Sequence, residues 1–337
     1  MKNSDYAQKW TDEQINKLEK RIRKLYSQTS LDIYNEISKF LYNFKKNDAK
    51  WQKDLKNGKK TKEEYQFWLK KQIFRGKQWN LQREMIADTL YNTNEMALNL
   101  VNEAMPSVFA MNGNWVAYEL ETSAGVDLGL HLYSLDTVKE ILVEDAKILP
   151  FKSLDKIKDK RWNFQNIKNE VAKGIIKGEG VDKIAHRLAN EMPNRNFNML
   201  RTHARTMVTS AQNQGRLDRM QRVKESGIEV KKQWLATLDE RTRYTHAMLD
   251  GQIRELEENF EIEGYKIREP ADPFAHPSMT YNCRCTMRSI LTKYPSTFNT
   301  RRDNETGELI EDMTYQEWYT MKGRDLEEKK PKKRGGK

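Results

Sequence analysis

Lys232–Gln252 reads KQWLATLDERTRYTHAMLDGQ and, after a charged segment, Pro270–Leu291 reads PADPFAHPSMTYNCRCTMRSIL. These runs hold both cysteines and two of the five histidines of the chain. Trp234, Leu235 and Leu238 predict a short strand that ends in a turn. Asp239 predicts a helix N-cap after it, because its carboxylate accepts from the exposed N–H groups of a first turn. On a helix running through Arg241, Arg243 and His246, the side chains of Asp239, Arg243 and His246 share a face. Asp250-Gly251 predicts a turn in which the glycine takes positive φ. Pro270, Pro273 and Pro277 keep the next segment irregular, and Tyr281–Thr286 predicts a second short strand. The stretch from 233 to 291 therefore reads as a small, irregular α+β module.

Its polar residues admit two readings. Cys283 and Cys285 with His246, and with His276 or Asp239 as a fourth donor, are ligand types that zinc accepts. Cys-x-Cys is an unspecific spacing, however, and strand alternation puts both thiols on one face, where small buried side chains need no metal. A disulfide between residues two apart fits the required geometry poorly. The favoured reading is a hydrogen-bonded knot in which Arg243, Asp250 and Arg284 tie the loop to the helix, and no cofactor is expected. Trp234, Asp239, Arg241, Gly251, Pro273 and Asn282 complete the motif.

The string W-x-A-T-x-D-x-R-T-R-x-x-H-x-x-L-D-G from Trp234 to Gly251, followed by P-x-D-P and Y-N-C-R-C-T, resembles the C-terminal signature of phage head-morphogenesis proteins. These are the Mu F-like minor head, or minor capsid, proteins of tailed phages. The resemblance extends more weakly upstream to about Leu81, through Gly125–Tyr133 (GVDLGLHLY) and the helical stretch from Asn163 to Gly227. Ala271 departs from the pattern, which has glycine in that turn, and His276 is foreign to it. The resemblance implies a virion component present in few copies, placed inside the head near the portal, with the host cytoplasm as its site during assembly. It implies the portal protein as partner, with capsid or scaffolding protein beside it, and no catalytic activity. Some members carry toxin domains after N-C-R-C, whereas the residues after Leu291 are polar and too few for one.

The remaining chain reads as helix. Its 337 residues are ample for a core, while 32% charged and 37% hydrophobic residues favour long, solvent-exposed helices. Sixty Lys and Arg against 49 Asp and Glu leave a formal charge of +11, which suits a polyanionic partner such as phage DNA, bound without sequence preference. Two cysteines fit a reducing compartment, and no apolar run approaches the roughly 18 residues of a membrane span. Apolar residues recur every three or four positions from Ile15 through Leu18, Ile22, Ile33 and Ile37 to Phe40 and Phe44, predicting a helix over Thr11–Lys46 capped by Thr11. A second helix opens near Thr61 and carries Phe67, Trp68, Ile73 and Phe74. A third spans Trp79 to Met105, and Pro106 ends it or marks a break. Trp115–Leu120 fits strand or helix, 125–133 is extended, and Ser134 caps a short helix. A helical pair breaks at Gly178-Glu179-Gly180, and Pro193-Asn194 separates it from a further helix that Gly227 ends. In that last helix Ala204, Val208, Ala211 and Gly215 form a small-residue stripe, with Arg201, Arg205, Arg216, Arg219 and Arg222 alongside. His131 reads as a structural histidine among apolar neighbours.

The expected fold is mostly α: an elongated helical N-terminal region with a small irregular α+β C-terminal module. The organisation expected is a long-helix docking region over 1–106, a helical middle over 107–232, the module over 233–291, and a polar extension with a basic disordered tail over 292–337. In that tail Lys329, Lys330, Lys332, Lys333 and Arg334 are candidates for contacts to DNA phosphates. The competing function is a metal-dependent hydrolase or nuclease centred on His246, Asp250, Cys283 and Cys285. It lacks paired carboxylates at metal spacing, a glycine-rich phosphate loop and a nucleophile motif, so the sequence reads as non-enzymatic.

Overall fold

The computed structural model describes residues 5–74, 77–145, 153–294 and 299–330. Six helices come first: α1 (Tyr6–Lys56), α2 (Lys62–Phe74), α3 (Lys77–Ala124), α4 (Leu135–Glu144), α5 (Lys156–Ile176) and α6 (Val181–Glu225). Short elements follow: β1 (Val230–Leu235), α7 (Tyr244–Leu249), β2 (Ile253–Arg254), β3 (Phe260–Ile262), β4 (Tyr265–Ile267), α8 (Pro277–Thr280), β5 (Thr286–Leu291), β6 (Thr300–Arg302), β7 (Leu309–Glu311), α9 (Tyr315–Met321) and a 3-10 turn at Leu326–Lys329. The chain is thus mostly helical with a small C-terminal α+β region, as its residue pattern predicts.

The chain divides into two compact units. The first comprises Leu18–Leu100 and Lys152–Arg201, and its described elements are helical. Its core takes Ile33 and Ile37 from α1, Tyr65 and Leu69 from α2, and Trp79, Ile86 and Leu90 from α3. Ile167 and Val171 of α5 and Ile184, Leu188 and Met192 of α6 complete it. Buried amides lie on the same helices. Asn94 Nδ2 donates to both oxygens of Asp159 (3.0 and 3.2 Å) and to Asn196 Oδ1 (2.8 Å). Asn196 donates to Asn163 (2.8 Å), and Asn163 closes the ring on Asp159 (3.1 Å). Tyr26 adds its hydroxyl to Asn94. Thr61 and Glu64 form the capping box that starts α2, at 2.9 and 3.1 Å. The side chains of Phe40, Phe44, Ile73 and Phe74 lie outside the described residues.

The second unit comprises Met1–Lys17, Val101–Phe151 and Thr202–Lys337. Here β1 is the central strand of the antiparallel sheet β2-β1-β5, while β3-β4 and β6-β7 are two-stranded hairpins. The stripe on α6 behaves as its small residues require: a methyl group added at Gly215 would lie 2.2 Å from the Phe109 carbonyl oxygen of α3. Gly227 ends α6 with φ of +87°, and Ser134 caps α4 by accepting from Thr137 N at 3.1 Å.

Several local expectations fail, each for a physical reason. Thr11 does not cap α1, which begins at Tyr6, where Asp5 accepts from Gln8 N at 2.8 Å. Thr11 is instead buried, donating to Ala7 O and accepting from Asn112 Nδ2. Pro106 does not end α3, nor does Pro193 divide α6. A proline inside a helix costs about 3 kcal/mol, but the buried stripes continue past both, with Val108, Phe109 and Val116 after Pro106 and Phe197 and Leu200 after Pro193. Trp115–Leu120, which the sequence leaves open between strand and helix, is helical. Three of the α6 arginines serve the fold. Arg216 is fully buried, bonded to Asp5, Asn112 and Met287 O, and Arg219 lies 3.6 Å over the Tyr133 ring. Arg222 pairs with Asp218 at 3.1 Å. His131 is exposed, and it is its carbonyl that accepts from Arg219.

Candidate functional site

Alternation along β1 buries Val230, Lys232 and Trp234 on one face. Trp234 sets its ring edgewise to Phe260 and to His246, with centroids 5.2 and 5.6 Å apart. Lys232 is a residue that sequence reasoning missed. Its Nζ donates to Leu256 O (2.9 Å) and Arg268 O (2.8 Å), and burial lowers its pKa to about 8. Only its place in the alternating pattern signals it.

Beyond β1, Asp239 caps a turn rather than a helix. Its Oδ1 accepts from Arg241 N (3.0 Å) and Thr242 N (3.1 Å), whereas α7 starts only at Tyr244, after Arg243. Asp239 therefore does not share a helical face with His246. Its carboxylate faces Arg284, which donates from both terminal nitrogens, Nη2 at 2.8 Å, and the exposed Arg241 adds a contact at 3.3 Å. Burial raises the Asp239 pKa, but the Arg284 guanidinium overcomes it and holds the group below the ordinary aspartate value. Thr237 Oγ1 seals the join by donating to Arg284 O at 2.7 Å.

Asp250 is the second hub. It accepts from Ala236 N (2.5 Å) at the exit of β1, from Tyr315 N (2.6 Å) at the start of α9, and from both terminal nitrogens of Arg301 (2.8 and 3.0 Å). Arg301 also donates to Ala236 O and Met313 O. Gly251, with φ of +80°, turns the chain so that its N–H reaches Trp234 O at 2.9 Å. In place of the expected knot of Arg243, Asp250 and Arg284, Arg284 holds Asp239 and Arg301 holds Asp250, while Arg243 is the residue before α7. Arg301 escaped the sequence reading because it lies in the stretch read as a polar extension. That stretch is no loose appendage. Tyr315, Trp318, Tyr319 and Leu326 join the core of Trp234, Leu238, Phe260 and Cys283.

The proline-rich loop is ordered by Asp272, which accepts from Arg268 N (3.2 Å) and Phe274 N (2.8 Å), with Pro273 between. His276 is exposed and caps α8, accepting from Ser278 N at 3.3 Å, so it is no partner of the cysteines. Ala271, where the resemblance leads us to expect glycine, is buried with φ of +61°. Asn282 turns the chain at φ +55° and donates its N–H to Thr206 Oγ1 at 3.1 Å. The expected strand at Tyr281–Thr286 starts only at Thr286, because that turn leaves Cys283–Cys285 outside the ladder. Alternation nevertheless holds through Cys283-Arg284-Cys285: the arginine goes to Asp239 and both thiols go to His246. His246 Nδ1 lies 3.4 Å from Cys285 Sγ and 3.6 Å from Cys283 Sγ, and all three side chains are buried. Burial pushes both thiols up. Hydrogen bonds from Cys285 and the Arg243 charge bring Cys283 below the ordinary thiol value, while Cys285, beside Cys283, stays well above it.

Of the DNA-contact candidates, Lys329 donates to Glu240 O at 2.6 Å, and Lys330 lies 5.8 Å over the Tyr244 ring. Both are tied to the module rather than loose. Lys332, Lys333 and Arg334 lie outside the described residues.

The chain thus combines long helices with a module closed by N-C-R-C and held by two aspartate–arginine hubs. Residues 165–288 match the family model of the Phage Mu protein F like proteins, and this match together with the relative below supports a phage minor head protein family. It aligns with the minor head protein GP7 of Bacillus phage SPP1 at 27% identity over 327 residues, covering 95% of this chain and 97% of that protein. It also matches the NAD(+)–arginine ADP-ribosyltransferase EFV of Enterococcus faecalis, 32% identical over 220 residues, 64% of this chain and 43% of that protein. An uncharacterized protein of Haemophilus influenzae is 27% identical over 198 residues, 58% of this chain and 39% of that protein. The chain thus spans less than half the length of these last two relatives. No solved structure matches it significantly.

Proposed function

We propose that this minor head protein sits inside the phage head beside the portal, acts in head assembly, and contacts packaged DNA through its basic helices without reading sequence. The alignment with GP7 along nearly the whole of both chains carries this reading, because it includes the long helices as well as the signature module. The charge of +11 supports the DNA contact, and Lys20, Arg21 and Lys24 of α1 and Lys70 and Lys71 of α2 lie exposed. Such contacts release counterions from the phosphates, so affinity falls steeply with salt.

The geometry speaks against the hydrolase or nuclease alternative. The Asp250 side chain is 1% exposed and its oxygens already accept four donors, which leaves nothing to activate a water. His246, Cys283 and Cys285 are 2% exposed or less. What the transferase relative's name states belongs to a protein of which less than half aligns here.

Co-elution of the purified chain with its cognate portal, read beside duplex-DNA binding at rising salt, tests the proposal. Portal binding together with weak, sequence-independent, salt-sensitive DNA binding is expected. A chain that ignores the portal, or whose DNA affinity is unchanged at high salt, overturns the corresponding part.

A further inference from the structure

We propose that His246 Nδ1, Cys283 Sγ and Cys285 Sγ bind one zinc ion, which fastens α7 to the loop leading into β5. The three residues belong to the signature module, but the proposal rests on their geometry and stands or falls separately from the proposed function. The first argument is distance. Zinc bonds of about 2.3 Å to sulfur and about 2.0–2.1 Å to nitrogen at tetrahedral angles put ligand nitrogen and sulfur about 3.6 Å apart. His246 Nδ1 is 3.4 Å from one sulfur and 3.6 Å from the other, and all three donor atoms lie within 4.8 Å of one another.

The second argument is charge. Two thiolates and a neutral imidazole cancel the two charges of zinc, so the occupied centre sits in the core with no net charge, whereas a lone buried thiolate is costly. The third argument is pre-organisation. The Asn282 turn at φ +55° and the Arg284–Asp239 pair fix the backbone on both sides of the thiols, and Trp234 buttresses the imidazole. Arg284 occupies the opposite side of the strand-like segment, so both sulfurs face His246. The buried position of all three donors makes the ion a structural fastener.

The test uses the full chain, grown with added zinc and purified without chelator. Elemental analysis is expected to find one zinc per chain, and Cys283→Ala/Cys285→Ala is expected to hold none. If that variant fails to fold, cobalt substitution of the wild-type chain decides. A thiolate-to-cobalt charge-transfer band with the intense visible bands of tetrahedral cobalt supports the site. Chelation should lower the Tm, and zinc, not magnesium, should restore it. A folded wild-type chain that takes up no zinc after refolding in its presence overturns the proposal. So does zinc retained by the double variant, or a Cys283–Cys285 disulfide found by mass spectrometry.

Discussion

Asp159 in the helical unit and Asp239 in the unit that carries the sheet are both buried aspartates, yet burial wins at one and loses at the other. Asp159 is held by the amides of Asn94 and Asn163, which lower its pKa but not enough to offset desolvation, so it lies above the ordinary value. Asp239 faces the Arg284 guanidinium and lies below it. Neutral donors satisfy a buried carboxylate, whereas a full opposite charge stabilises its ionised form. The contrast extends beyond the two residues. Amides and a phenol join α1, α3, α5 and α6, while ion pairs join short segments far apart in sequence: Asp239 with Arg284, Asp250 with Arg301, Asp5 with Arg216.

The largest effect should come from breaking one ion-pair hub. Arg301→Ala leaves Asp250 buried without its countercharge and frees the Ala236 and Met313 carbonyls. A loss of about 3–5 kcal/mol is expected, read as the shift in urea midpoint. Asp250→Ala should match it and also release the start of α9. A loss below about 1 kcal/mol, the range of exposed ion pairs, would show that solvent reaches the hub.

Against this, removal of the amide hub should cost less. Asn94→Ala leaves Asp159 and Asn196 short of a donor inside the helical unit. About 1–3 kcal/mol is expected, the cost of an unsatisfied buried polar group. If Asn94→Ala proved more damaging than Arg301→Ala, the distinction between the two regions would fail.

This difference also explains what the sequence disclosed. The helices were legible because their apolar residues recur at three and four, and the stripe of Ala204, Ala211 and Gly215 announced close packing. Their ends were less legible. Pro106 and Pro193 are local signals, and continued burial on either side overrides them. In the module, Asp239, Asp250 and Arg284 stood out as residues, but their partners did not. An ion pair such as Asp250–Arg301 spans fifty-one positions and leaves no periodic trace. Lys232 shows the same limit, being a charged side chain at a buried strand position whose partners are backbone carbonyls.

Acid unfolding separates the two aspartates by sign. The folded pKa of Asp239 lies below its unfolded value of about 3.8, so its contribution is complete above that value and is lost as pH falls through the folded one. The folded pKa of Asp159 lies above the same reference, so its cost is absent below it and grows as pH rises through the folded value. Urea stabilities from about pH 3 to about pH 7, compared with Asp239→Asn and Asp159→Asn, should therefore diverge. The advantage of wild type over Asp239→Asn should grow with pH, and its margin against Asp159→Asn should shrink. A tenfold change in a carboxylate's proton affinity on folding is worth about 1.4 kcal/mol, and parallel curves would show that the two environments do not differ.

The smallest effect belongs to Ala271, which holds a left-handed φ without being glycine. At φ +61° an alanine carries about 1–2 kcal/mol of left-handed strain. Ala271→Gly removes that strain but releases backbone entropy in the unfolded chain, worth about 0.4–1 kcal/mol, and deletes a buried methyl worth about 0.8 kcal/mol. The opposing terms nearly cancel, so the urea midpoint should move by less than about 1 kcal/mol. Ala271→Val keeps the apolar character and adds a branched Cβ at the same φ, where no glycine-like relief exists. It should lower the midpoint clearly, so the pair distinguishes strain from packing. Were valine tolerated as well as glycine, this turn would relax away from its left-handed φ, and the loop that presents Cys283 and Cys285 would be held by Asp272, the Asn282–Thr206 hydrogen bond and the Asp239–Arg284 pair.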